Sequence, residues 1–328
     1  MKNRIRYTCT FILANLLVFL GFVRRAKAKA LRGEHILSIY FHKPSAEEFE
    51  NCLRWLKSNS FKAISLDDFY RIVQKQLPFP KGAVLLTADD GWRSNKTNIV
   101  AIAEKYKVPV TIFVATEPIE KGNYWWTLVE EAKRRKLLNT SVKYLKKVPN
   151  EERLKLLEEL AGKVSHARNA MTVEEIQHIA LSPQVTIGAH TVSHPILSNC
   201  NSKQAYSEIE ASKHQLQTWT GKSVDYFAYP NGDYTEREVR MLEELGYKLA
   251  FTVRPSYISP AQLNLRYELP RFEVIENAPF AETICRMVGV WEPLMLRLKH
   301  LGTRKTSMAV LPSPDMEQKQ SLGYMPPF

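Results

Sequence analysis

The sequence predicts an α/β fold, a (β/α) barrel carrying a helical insertion, on three observations. Short apolar runs recur from residue 36 to residue 274. Several of these runs are apolar on both faces, and amphipathic stretches at helical spacing lie between them. Strands buried on both sides and separated by helices indicate a parallel sheet covered by helices on both faces. Seven or eight such units in roughly 250 residues suit a (β/α) barrel, with a doubly wound open sheet as the alternative. No Gly-x-Gly-x-x-Gly follows the first strand, which weakens a dinucleotide-binding reading.

The chain opens on a basic and apolar segment, residues 1–33. Eight residues of it are basic (Lys2, Arg4, Arg6, Arg24, Arg25, Lys27, Lys29 and Arg32), and none of the first 32 is acidic. Thr8–Val23 between the charges spans 16 residues, short of the about 20 that a membrane-spanning helix needs. The segment reads as a membrane anchor or interfacial helix, with a secretory signal or signal-anchor (small-x-small site at Ala26-Lys27-Ala28) and a buried helix as the alternatives. Positive charge just after the apolar run opposes export of the domain behind it. A membrane-associated protein on the cytoplasmic face is therefore expected, with a periplasmic location as the alternative. Without those eight residues the chain has 38 basic against 34 acidic side chains, so the net charge of +12 is concentrated at the N-terminus. No nucleic-acid partner is expected. The four cysteines (Cys9, Cys52, Cys200 and Cys285) are far apart and form neither a disulfide framework nor a CxxC motif.

Strands are expected at Ile36–Phe41, Lys62–Ser65, Ala83–Ala88, Pro109–Val114, Val185–Ala189, Tyr226–Tyr229, Leu249–Val253 and Leu269–Val274. Ala46–Asn59 places Phe49, Leu53 and Leu56 on a helical period, and Thr235 is a natural cap for a helix over Glu236–Leu245. The long stretch between Val114 and Val185 reads as helices, Glu151–Ala161 and Val173–Ala180 among them. It is taken as a helical insertion at about residues 120–182, in a barrel domain over 34–301. Residues 302–328, rich in Pro, Ser and Met, read as a flexible tail.

In a (β/α) barrel the C-terminal strand ends converge on one site. Here the first strand ends at His42, the third at Asp89-Asp90, and the strand after the insertion at His190, with His194 four residues on. The sixth ends in Tyr229-Pro230-Asn231-Gly232. Two adjacent carboxylates at the end of a buried strand repel one another unless a cation is close. Two imidazoles and one carboxylate can hold Zn²⁺ with an open position, as catalytic zinc requires; Co²⁺ or Ni²⁺ are the alternatives. The second carboxylate is then free to act as a base on water. In GAHTVSHP, Gly188 and Pro195 argue against a helical histidine pair, so His190 ends a strand and His194 lies in the following turn.

TADDG at 87–91, GAHTVSHP at 188–195 and FAYPNG at 227–232 together resemble the motifs of the polysaccharide deacetylase family, the NodB-homology carbohydrate esterases. Members carry Thr-Phe-Asp-Asp-Gly and His-Ser/Thr-x-x-His-Pro, and the resemblance spans roughly residues 35–275. It implies a distorted (β/α)7 barrel and a divalent metal. The implied reaction is removal of an N-acetyl group from an amino sugar of a polysaccharide or lipid-linked glycan. By position it implies Asp89 as base and Asp90, His190 and His194 as metal ligands. Oxyanion or substrate contacts would come from Asn231 and Tyr229. Ala88 stands where relatives carry an aromatic. The arginine that steadies the base in many relatives is missing from the third motif, where Ala228 and Tyr229 stand; Arg271 in ELPRFEV is the candidate replacement at the site. LSIYFH resembles the N-terminal Tyr-His strand of the poly-N-acetylglucosamine deacetylase branch, whose acid motif is permuted to the front. His42 is then the candidate general acid, against a plain core histidine. His300, the late alternative, falls in a helical stretch.

Trp125 and Trp126 are candidates for the rim of a sugar cleft, Trp126 foremost, although tryptophans also simply fill cores. His35, His166, His178 and His214 read as structural or surface residues, and Lys133–Lys136 as a solvated helix face. The expected partners are an N-acetylated glycan and, through residues 1–33, a membrane surface. Rival readings are an O-acetyl esterase or deformylase on a glycan, a non-catalytic sugar-binding barrel, and a membrane scaffold.

Overall fold

The computed structural model describes residues 2–160, 162–164 and 167–296, with side chains from residue 5 onward. The expected tail, His166 and His300 lie outside the described residues. Among those described, eight strands form one all-parallel sheet: β1 Leu37–Phe41, β2 Lys62–Ala63, β3 Ala83–Ala88, β4 Val110–Val114, β5 Val185–Ala189, β6 Tyr226–Ala228, β7 Leu249–Phe251 and β8 Phe272–Glu273. Their order is β7-β6-β5-β4-β3-β1-β8, with β2 set beside the start of β3. The sheet curls back on itself. Leu269, just before β8, accepts from Thr252 N at 2.8 Å and donates to Ala250 O at 3.0 Å, so the 269–273 segment touches β7 at one end and β1 at the other. The α/β barrel expected from the sequence is the fold observed. The second and last expected strands shorten to two residues each, the last adding only the Leu269 bridge.

Alternation along the strands sorts the core into two faces. Ile36, Leu85, Phe113, Tyr226, Phe251 and Leu269 come from strands right around the sheet yet pack as one cluster, as only the inside of a curl allows. Leu66 and Phe69 of the Leu66–Val73 helix join that cluster. The intervening residues Leu37, Ile39, Phe41, Val84, Leu86, Ile112 and Phe227 face outward and pack under the surrounding helices. Those helices begin where their sequences can cap them. Ser45 and Glu48 form a capping box on Ala46–Ser58, Thr172 and Glu175 on Val173–Ala180, and Thr235 and Glu238 on Glu236–Glu244.

Between β4 and β5 the chain forms helices at Thr116–Lys121, Trp125–Arg134, Val142–Leu145, Asn150–Leu160 and Val173–Ala180. Trp125, Val129, Leu145, Val148 and Leu160 give this region a small core of its own. At the N-terminus, α1 (Lys2–Phe19) and α2 (Phe22–Arg32) join at Gly21, whose φ of +77° breaks the helix. Ala14, Leu17, Val23 and Ala26 pack on Cys285, Val288 and Trp291, while Phe11, Ile12, Leu16, Phe19 and Leu20 stay exposed. No single helix among the described residues is long and apolar enough to cross a membrane; Ile5–Phe19 and Phe22–Arg32, bent by 57°, meet that test only as a pair.

Candidate metal and catalytic site

Because every strand is parallel, His42, Asp89, Asp90 and His190 lie on one rim. β3 ends in a sharp reversal, with Asp90 at φ +78° and Gly91 at +86°. A left-handed conformation is unusual and costly for a residue with a Cβ, and a strained non-glycine at a strand end is a recurrent mark of a functional site. At Gly91 a Cβ would also stand 3.3 Å from Ile119 and Val114. The turn aims the two carboxylates in different directions.

Asp90 meets the two histidines. Its Oδ1 lies 3.5 Å from His190 Nε2 and 3.4 Å from His194 Nε2, and the two ring nitrogens are 3.2 Å apart. A tetrahedral ion with bonds of about 2.0–2.1 Å would set its ligand atoms about 3.3–3.4 Å from one another. The three atoms therefore already have the spacing of three tetrahedral ligands, and all three residues are buried. His190 Nδ1 lies 2.6 Å from Ala228 O, which fixes that nitrogen as a donor and turns Nε2 towards Asp90 and His194. Burial pushes His194 down to about 4, with His190 adding to the effect against the opposing pull of Asp90, so its ring is neutral at pH 7. Burial would raise Asp90, but the two histidines outweigh it and hold the carboxyl well below its usual range. One carboxylate oxygen and two imidazole nitrogens facing one point form a donor set that fits a divalent ion.

Asp89 turns into the barrel. Arg271 grips it with both arms, Nη1 to Oδ1 and Nη2 to Oδ2 at 2.7 Å each. Both side chains are almost wholly excluded from solvent, at 0% and 3% exposure. The guanidinium also donates to Thr87 Oγ1 and Thr252 O at 3.0 Å, and it lies 4.5 Å from the centre of the Tyr40 ring. Burial would raise Asp89; Arg271 and His190 outweigh it and hold the carboxyl below its usual value. Arg271 is therefore committed to Asp89 and buried away from solvent.

His42 sits one residue past β1, a third exposed, with Nδ1 3.6 Å from Glu273 Oε1 of β8. Asn95 anchors its backbone, donating to His42 O at 2.6 Å. Trp126 lies over His194 with ring centres 4.6 Å apart, and Tyr124 stacks between Trp126 and Trp92. Asn231, at φ +58°, accepts from Lys146 Nζ at 2.7 Å on the rim. Tyr229 departs from expectation. Its ring is buried beneath the outer face, its hydroxyl donates to Tyr267 O at 3.0 Å, and its N–H donates to Phe251 O at 3.0 Å. It offers no free donor to a substrate. Strand parity is the reason: Tyr226 and Ala228 point inward, so Tyr229 points out.

Four contributors were not singled out from the sequence. Trp92 Nε1 donates to Asp90 Oδ2 at 2.8 Å, leaving Oδ1 to face His190 and His194; its place directly after the Asp-Asp-Gly run was the available signal. Lys146, Arg153 and Glu208 reach the site from helical regions remote in sequence, and no local pattern marks them.

The family model for polysaccharide deacetylase matches residues 76–250, and the chain belongs to this family. Among curated relatives it is 21% identical to a putative polysaccharide deacetylase of Bacillus subtilis, over 66% of this chain and 61% of that one. It is 21% identical to the poly-β-1,6-N-acetyl-D-glucosamine N-deacetylase of Staphylococcus epidermidis, over 71% of this chain and 68% of the other. The fold is shared with the Streptococcus pyogenes deacetylase PplD solved with acetate (TM-score 0.57, 18% identity, 77% of this chain and 98% of that one). It is likewise shared with IcaB from Ammonifex degensii (TM-score 0.57, 17% identity, 78% and 97%).

Proposed function

We propose that the protein is a metal-dependent hydrolase that removes an N-acetyl group from an amino sugar of a polysaccharide or lipid-linked glycan. The observation that carries this reading is the division of labour between two adjacent carboxylates, Asp90 facing His190 and His194 while Asp89 is gripped by Arg271. Asp90, His190 and His194 would hold the ion, with zinc the first choice for an imidazole–carboxylate set. Such an ion polarises an amide carbonyl and lowers the pKa of water. Asp89, kept ionised by Arg271, accepts the proton of the attacking water. His42, at the end of the neighbouring strand and beside Glu273, would return a proton to the leaving amine. Trp126, whose ring meets that of His194, would offer a flat face to a sugar ring, and Asn231 a polar contact. Relatives named as poly-β-1,6-N-acetyl-D-glucosamine N-deacetylases support an amino-sugar polymer as the substrate class.

We also place the protein at a membrane surface, cytoplasmic face first. The exposed apolar side of α1 and the basic residues on either side of it support this location. The test of the activity is acetate release from N-acetylglucosamine oligomers by the full chain in mild detergent with Zn²⁺. Release is expected, and its loss in Asp89→Asn and His194→Ala. Cleavage of O-acetylated but not N-acetylated oligomers would replace the reading with an esterase.

A further inference from the structure

The two histidines of the site are held by different parts of the molecule. His190 is set by the barrel: its N–H donates to Val114 O at 3.0 Å and its ring reaches Ala228 O. His194 lies beyond a loop that leaves the barrel, with Thr191 at φ +66° and His194 itself at +53°. Two left-handed residues with side chains in four positions will not hold without outside support. That support comes from three helices. Glu208, on Ser202–Thr220, accepts from Val192 N at 2.9 Å and from Ser193 N at 2.8 Å through one oxygen, and from Ser193 Oγ at 2.7 Å through the other. Arg153, on Asn150–Leu160, donates to the same Ser193 Oγ at 3.1 Å and to Ser193 O at 3.4 Å. Trp125, on the Trp125–Arg134 helix, donates its Nε1–H to His194 O at 3.0 Å, and the Arg153 guanidinium lies 5.1 Å from its ring centre.

Arg153 is only 2% exposed, although it projects from a helix whose Glu151, Glu152 and Lys155 face solvent. Asn150 Oδ1, 2.9 Å from Nε, fixes its fork. A buried guanidinium needs a counter-charge. Here the two charges meet across one hydroxyl, with Ser193 Oγ accepting from Arg153 and donating to Glu208. The same insertion latches to the chain beyond the loop, where Asn199 Nδ2 donates to Lys146 O at 3.0 Å and Asn201 Nδ2 to Glu151 Oε1 at 3.1 Å.

We propose that Arg153 and Trp125 of the helical insertion are positioning residues for the metal site, clamping the loop that presents His194. The inference rests on the metal-site reading above and deepens it. The barrel supplies Asp90 and His190, and the insertion sets the third ligand. Outer partners of this kind, which hold a ligand rather than the ion, are worth about 10- to 100-fold in metal affinity when removed.

The test uses the full chain and two readouts, Zn²⁺ affinity by chelator competition and the visible spectrum of the Co²⁺-loaded protein. Arg153→Met is expected to lose about 10- to 100-fold in Zn²⁺ affinity and to show a changed Co²⁺ band, while Arg153→Lys, which keeps the charge but not the fork, falls between it and the wild type. Trp125→Phe keeps an aromatic ring in place and removes the Nε1–H with the pyrrole ring that carries it; it is expected to weaken Zn²⁺ binding and change the Co²⁺ band while the metal-free protein still unfolds in one cooperative transition. A folded Arg153→Met with wild-type affinity and an unaltered Co²⁺ spectrum overturns the proposal. If Arg153→Met does not fold, Trp125→Phe decides by the same two criteria. A wild-type protein that takes up neither metal would instead overturn the metal-site reading, and the clamp with it.

Discussion

Asp89 and Arg271 show how much one buried pair can decide. Two charges excluded from water are costly apart and are tolerable only together. Arg271→Met leaves the carboxylate without its partner inside an aromatic barrel. It is expected to destabilise the protein by about 3–5 kcal/mol, read from urea unfolding; a loss under about 1 kcal/mol would mean the site relaxes enough to hydrate Asp89. His35 makes a second residue-scale prediction. Its ring packs 3.9 Å from that of Tyr257, and burial pushes its pKa from 6.5 down to about 4. Above pH 6.5 the folded and unfolded chains both hold it neutral. As pH falls from 6.5 towards 4 the unfolded chain takes up a proton that the folded one refuses, so stability is lost across that window. His35→Phe keeps the ring and removes the titration. The fall in thermal midpoint between pH 7 and pH 4.5 should shrink in this variant, and an unchanged fall would clear His35 of the effect.

At the scale of the element, the site depends on strands that end cleanly and at matched heights. β5 illustrates the constraint. Gly188 points into the barrel, where Phe113 already fills the space, and a Cβ there would stand 2.4 Å from the Phe113 ring. Gly188→Ala must therefore push β5 away from β4, two residues before His190. A loss of about 1–3 kcal/mol is expected on urea unfolding, together with weaker Zn²⁺ binding. Wild-type values for both would show that Phe113 can rotate away at no cost. The helical run after β3 has a related task. It includes a π-helical stretch, Lys96–Val100, and its Asn95 and Asn98 donate to the carbonyls of His42 and Pro44. π-helical turns recur near functional sites, and here the run ties the end of β1 to the end of β3.

On the whole-molecule scale, the proposed metal and the proposed membrane surface are the outside partners that should alter behaviour. An ion bound only by the folded chain adds about 2.7 kcal/mol at a concentration 100 times its Kd. Zn²⁺ should therefore raise the thermal midpoint, a chelator should reverse the rise, and Asp90→Ala should show neither effect. Phe11 and Phe19 are 49% and 86% exposed on α1. Replacing both with Ser is expected to reduce co-sedimentation with anionic lipid vesicles several-fold, while acetate release from soluble oligomers stays as it was. Equal sedimentation of the two forms would remove α1 as the attachment.

The alternation of apolar strands with helical stretches determined a parallel sheet covered on both faces, while its closure into a barrel rather than an open doubly wound sheet was decided by the tertiary structure. The rim position of Asp89, Asp90, His190 and His42 was legible for the same reason: parallel strands bring their C-terminal ends to one side. Side-chain parity was also in the sequence, and applied to β6 it would have turned Tyr229 outward at once. Only the tertiary structure decided the rest. Arg271 reaches Asp89 because the last segment closes the curl beside β1, a contact between residues 182 positions apart. Arg153 and Glu208 meet at Ser193, and Trp125 holds the His194 carbonyl, because the insertion packs against the loop after β5, and no local period encodes where an insertion docks. Local sequence fixes which way a side chain faces along its own element. Which distant group it meets there is set by how the elements close on one another.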